Sequence, residues 1–221
     1  PMSSSNPAPG TVHPDGPPPL RVAAFRNIWA ASLLSNFGQL ILGVGAAWEM
    51  TRLTDSPEMV VLVQSALMLP LMLVAVPAGA IADMFDRRRT AMAGLSISIL
   101  FASLLTFIAA SGWLTPWIIL AFCALIGAGV ALYSPAWQAS VTELVTPAQL
   151  PSAIALGAIS YNSARSVGPA IGGVIVLAAG AQAAFAVNAV AYLPLLLAFL
   201  LWRKRPVVRR MPRERLDQAV V

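Results

Sequence analysis

Two residue types that carry much of protein chemistry are nearly missing from this chain: its 221 residues include one cysteine, Cys123, and one histidine, His13. A single cysteine cannot close a disulfide within the chain, and it has no second thiolate with which to share a metal. An intramembrane serine protease needs a Ser–His pair at membrane depth, but His13 lies in the N-terminal tail. A zinc protease needs His or carboxylate ligands at helical spacing, and none stand so. No G-x-x-x-x-G-K-[ST] loop is present to cradle a nucleotide. Charge is scarce too, at 10% of residues. These absences leave no basis for an enzyme, and neither a cofactor nor a metal is expected.

What is abundant is apolar length. Six stretches run Ile28–Met50, Met59–Ala82, Thr90–Ala110, Thr115–Trp137, Ser152–Ala179 and Ala183–Trp202, separated by Pro, Gly or charge. Each reaches the roughly 20 residues that a helix needs to cross about 30 Å of hydrocarbon. A chain that is 58% hydrophobic, with mean hydropathy +0.76, cannot hide that much apolar surface as a water-soluble domain. The runs are continuous and rich in Leu, Ala, Met and Ile, whereas a closed barrel needs short alternating strands. Helices then remain as the way to satisfy every backbone group in lipid. The expected fold is an all-α membrane protein of six transmembrane helices.

The net charge of +5 follows the breaks between helices. Arg21 and Arg26 precede the first stretch, and Arg87, Arg88 and Arg89 separate the second from the third. Arg203, Lys204, Arg205, Arg209, Arg210, Arg213 and Arg215 follow the sixth, while the alternate breaks hold only Arg52. This positive-inside pattern predicts both termini in the cytoplasm and accounts for the basic excess without a nucleic-acid partner. Trp29, Trp137 and Trp202 fall at the predicted cytoplasmic helix ends, and Trp48, Trp113 and Trp117 at the outer ends. All six are expected in interfacial belts, with wet N–H groups and buried rings. The sequence divides into a Pro- and Ser-rich tail (1–19), too polar to order itself, a six-helix domain (20–202) and a basic cytoplasmic segment (203–221).

Polar groups within the stretches are the candidate functional residues. A charge at the bilayer centre costs about 2.5–3.5 kcal/mol on insertion scales. Arg165 counts to near the midplane of the fifth stretch, with Asn162 three residues earlier. Asn36 and Gln39 have the same spacing and a similar depth in the first. These four are read as lining a substrate path, against the plainer reading that Arg165 bonds to carbonyls between packed helices. Gln138, Asn188 and Tyr192 add further polar groups. Glu49, near an outer end, is read as the partner of Arg52.

Two motifs then carry a resemblance. Gly79-Ala80-Ile81-Ala82-Asp83-Met84-Phe85-Asp86-Arg87-Arg88-Arg89 resembles the G-x-x-x-D-R-x-G-R-R signature of the major facilitator superfamily. Gly168-Pro169-Ala170-Ile171-Gly172-Gly173 resembles the G-P-x-x-G-G motif of that family's drug and metabolite exporters. The opening Phe25-Arg26-Asn27-Ile28-Trp29, with Ser35-Asn36-Phe37-Gly38, is similar to an enterobactin-exporter-like branch. The resemblance implies a cytoplasmic gate at Gly79, Asp83, Asp86, Arg87 and Arg88, with Glu143 a candidate partner of Arg87. It also implies a helix at Gly168, Pro169, Gly172 and Gly173 that seals the path. The chain departs at Met84 and Asp86, where a basic residue and a glycine are usual. It departs again at Cys123 and Ile126, ahead of Gly127-Ala128-Gly129-Val130-Ala131, where the family's proton-linked motif has Arg and Gln.

The function implied is secondary, ion-gradient-driven antiport: efflux of a small organic substrate across the inner membrane by alternating access. The rival is a non-transporting scaffold or accessory subunit that binds other transmembrane helices. The family has about twelve spans in two halves, so the chain reads as the N-terminal half of a longer transporter. Its expected partners are the lipid bilayer, a small-molecule substrate, and a C-terminal six-helix half or a second copy of itself.

Overall fold

The computed structural model describes the backbone of residues 18–84 and 87–201, and the side chains of 18–73 and 88–201. All regular structure among these residues is helical: α1 (Ala23–Leu53), α2 (Pro57–Met84), α3 (Arg87–Ala110) and α4 (Pro116–Leu144), then a run over Leu150–Leu201. That last run is broken at Gly180, where φ is 78° and ψ is 173°, into α5 (150–179) and α6 (181–201). Short 3-10 turns, Pro19–Arg21 and Pro147–Gln149, precede α1 and α5. Four runs are long and apolar enough to cross a membrane: Ala23–Leu53, Arg88–Ala110, Pro116–Leu144 and Pro147–Leu201, the last containing the Gly180 break. Helix α2 adds a shorter apolar segment over Pro57–Leu73.

Local chemistry sets the breaks. At the end of α3 the N–H of Trp113 reaches the Ile108 carbonyl at 3.2 Å, and the N–H of Gly112 reaches that of Ala109 at 3.2 Å. With Gly112 at φ 73°, this is the left-handed glycine stop that satisfies carbonyls a helix end leaves over. Two residues after Trp113, Thr115 starts α4 by accepting the Ile118 N–H on its hydroxyl at 3.3 Å. Pro116 fills the first helical position, where a missing N–H costs nothing. Gly180 alone turns α5 into α6, a tighter corner than the three-residue break expected from the sequence.

The helices pack as two interleaved groups. Helix α1 lies between α5 and α6. A Cβ added at Gly38 or Gly45 would come within 2.6 Å of Ala191 and Ala184 on α6. Across the other face, Leu40 and Val44 sit 3.1 Å from where the Cβ atoms of Gly168 and Gly172 on α5 would be. Helix α4 lies likewise between α2 and α3. At Gly127 a Cβ would fall 2.5 Å from the Leu67 carbonyl oxygen, and at Gly129 it would fall 2.6 Å from that of Gly94. Lipid offers no hydrophobic drive for helices to associate, so close backbone approach through small residues is what joins them. Helix α5 shows this most plainly, burying Ser160, Ala164, Gly168, Gly172 and Val176 at every fourth position.

Larger side chains fill the space between the groups. Leu42, Met50, Leu105, Ile119, Ile126 and Phe185 are fully buried in one cluster. In another, Phe199 meets Tyr133 and Trp137 edge-on, with ring centroids 6.4 Å apart in both pairs. The outside is apolar as well, for Met72, Phe107 and Leu177 are 77%, 66% and 75% exposed. That surface suits hydrocarbon and not water.

The tryptophans divide more finely than their belt pattern predicts. Trp48, Trp113 and Trp117 are exposed, but Trp29 and Trp137 are half-buried. The Trp29 N–H donates to the Leu156 carbonyl at 2.8 Å, so protein and not interfacial water satisfies it. Trp202 lies outside the described residues.

Candidate functional site

A cleft of about 660 Å³ opens between α1, α2, α4 and α5. It lies toward the end of the bundle where α1 starts, α4 finishes and α5 starts. Its walls are Ser32 to Leu40 of α1, Leu67 to Leu71 of α2, Val130 to Thr142 of α4, and 150–161 at the start of α5. Most of the lining is aliphatic or aromatic, with Asn36, Gln39, Ser134, Gln138 and the tyrosines Tyr133 and Tyr161 set into it. An apolar hollow with a few convergent polar groups is the usual form of a small-molecule site.

Packing fixes the two amides on α1. The Asn36 side-chain amide donates to the Ser160 hydroxyl on α5 at 3.0 Å. The Tyr192 hydroxyl on α6 donates to Gln39 Oε1. Asn36 is left with its carbonyl oxygen and Gln39 with its amide N–H groups, so the pair offers one acceptor and one donor to a ligand. Behind them Asn188 is fully buried, and among the described residues neither side-chain polar atom makes a well-formed hydrogen bond. Its backbone and amide lie 3.3–3.5 Å from the site of a Gly38 Cβ.

The structure thus brings Asn36 and Gln39 to the cavity wall, together with Gln138. Asn162 and Arg165 are not among the wall residues. Both are exposed on α5, and the Asn162 amide donates back to the Ala158 carbonyl at 2.9 Å. In the Gly168–Gly173 motif, Gly168 and Gly172 are buried against α1, whereas a Cβ at Gly173 would meet nothing within 4 Å. Pro169 is exposed.

For the gate motif, α2 continues through Met84 and α3 begins at Arg87. Asp86 and the side chains of Gly79, Asp83 and Arg87 lie outside the described residues. Arg88, expected in the gate, is described, and its contact with the end of α6 is not one the sequence suggests. Its guanidinium donates to the carbonyls of Phe199 at 2.7 Å and Leu200 at 2.6 Å, tying the start of α3 to the last described turn of α6. Glu143 is exposed in the last turn of α4. Glu49 pairs with Arg52 at 3.5 Å. No cluster of three or more His, Cys, Asp or Glu able to hold a metal occurs among the described residues.

The chain belongs to the transmembrane secretion effector family of the major facilitator superfamily, whose model matches residues 16–221. It is accordingly a multi-pass membrane protein of a transport family. A staphyloferrin A transporter from Staphylococcus aureus (strain NCTC 8325 / PS 47) is 28% identical to it over 165 residues, which are 74% of this chain and 42% of that protein. The match therefore spans less than half the length of that relative. No solved structure matches the chain.

Proposed function

We propose that this chain is one six-helix half of a secondary transporter that exports a small organic molecule by alternating access. In this reading its six helices span the cytoplasmic membrane with both termini in the cytoplasm, and an ion gradient drives the cycle. The observation that carries the proposal is the cleft between α1, α2, α4 and α5, roomy enough for a metabolite and set with neutral hydrogen-bonding groups. Membership of a transporter family and likeness to a staphyloferrin A transporter support the same class of substrate.

The cleft opens on one side of this half, so a second six-helix half would close it and complete the path. Asn36 and Gln39 would hold substrate from this side. Helix α5, locked to α1 through Gly168 and Gly172, would keep that wall rigid while the two halves rock. Asp83, Asp86, Arg87 and Arg88 would form the cytoplasmic latch, with Glu143 as its partner across the loop.

The test is efflux from vesicles under an imposed pH gradient, using a panel of dyes and siderophore-like compounds, with and without a co-expressed C-terminal half. Gradient-dependent efflux that requires the second half is expected. A correctly inserted pair of halves that moves no compound in the panel under any gradient would overturn the proposal in favour of a scaffold.

A further inference from the structure

Among the described residues, none of the side chains that line the cleft carries a charge. Their polarity comes only from amides and hydroxyls, which suit the body of an amphipathic molecule but balance no ionic group on it. Along α5 the first charge lies just past the end of the wall. Ala158 and Tyr161 of α5 both face the cleft, and Arg165 follows them by seven and four residues. On a helix of 3.6 residues per turn these three share a face. At 1.5 Å per residue Arg165 stands about 6 Å along the axis from Tyr161. Helical side chains lean toward the N-terminus of their helix, and the cleft occupies the N-terminal part of α5. Arg165 is not itself a wall residue, but it stands one turn past Tyr161 on the face of α5 that lines the cleft.

Among the described residues nothing neutralises it. Arg165 is exposed and forms no hydrogen bond or ion pair with the described residues. Among acidic residues with described side chains, Glu49 is taken by Arg52. Asp55 lies between α1 and α2, Glu58 in the first turn of α2 and Glu143 in the last turn of α4, and none of them pairs with Arg165. A guanidinium in mid-helix, beside a cavity whose described wall carries no charge, calls for an anion from the ligand.

Building on the transport reading above, we infer that the substrate is an organic carboxylate, with its apolar and neutral polar body in the cleft and its carboxylate on Arg165. A carboxylate is favoured over a phosphate because one arginine balances one charge, and a phosphate monoester carries nearly two at neutral pH. The planar guanidinium can also grip both carboxylate oxygens at once.

The test uses the 221-residue chain in nanodiscs of zwitterionic phosphatidylcholine, so that no lipid headgroup supplies a competing net anion. The probes are dansyl-phenylalanine and its methyl ester, which differ in the carboxylate alone, titrated by fluorescence and corrected for empty nanodiscs. The acid is expected to bind about tenfold more tightly than the ester. Arg165→Gln should bring the acid to the ester's affinity and leave the ester unchanged, and Arg165→Lys should keep part of the preference. Equal binding of the two probes by the wild type, binding of neither, or an Arg165→Gln variant that weakens both alike would overturn the inference. Ester binding without acid preference would leave the transport reading standing. Acid preference without any efflux in the vesicle assay would remove the transport reading and keep the anion site.

Discussion

At the scale of single residues, glycine carries more of this architecture than any functional group. Gly127 and Gly173 make the contrast testable, since both are helical glycines near a family motif. A Cβ at Gly127 would fall 2.5 Å from the Leu67 carbonyl oxygen, while one at Gly173 would enter open space. Gly127→Ala should cost about 1–3 kcal/mol through forced separation of α2 and α4, whereas Gly173→Ala should stay within about 0.5 kcal/mol. Thermal unfolding of the two variants in the same detergent checks this, and equal melting temperatures would refute it. The sequence offered part of this picture. Asn36 and Gln39 are legible as a polar pair because both sit at depth on α1. That they take different partners, Ser160 on α5 and Tyr192 on α6, depends on α1 being flanked on both sides. No local pattern encodes that. Asn188 looks like one more polar residue in the sequence, and only the packing reveals that both its polar atoms are buried without a well-formed hydrogen bond among the described residues.

At the scale of elements, helix type and rough position follow from composition, and the ends follow from chemistry that hydropathy does not weigh. The apolar stretch ending at Trp137 continues as helix to Leu144, because Gln138 to Glu143 are tolerated at an interface and contain no breaker. Arg88 is the sharper lesson. By charge counting it is a topology signal, whereas in the fold it donates to the Phe199 and Leu200 carbonyls. A cation near the C-terminal carbonyls of a helix is favourable by about 1 kcal/mol. Arg88→Ala should therefore loosen the end of α6, raising hydrogen exchange over residues 195–201 about fivefold, with Arg88→Lys intermediate. Unchanged exchange in that segment would show that the contact is incidental.

At the scale of the whole molecule, the pairing of helices does not follow chain order. Helix α1 is packed against α5 and α6, and α4 against α2 and α3, so neither the first three helices nor the last three form a unit. Residues 1–112 expressed alone should be degraded or aggregate, as should residues 113–221. Co-expression of the two pieces should restore a complex that copurifies, checked by a tag on either one. Recovery of a stable, monomeric N-terminal piece would contradict the interleaving. The same arrangement constrains how the chain is made. Helix α1 is complete at Leu53, but of its two flanking helices α6 does not begin until residue 181. At ordinary rates of synthesis that interval is on the order of ten seconds. For most of it Asn36 has no Ser160 to bond, and Gln39 lacks Tyr192 until α6 is made. The newborn first helix must wait, with its polar groups unanswered, at the insertion machinery or against α2, and final assembly is deferred until the last helix arrives.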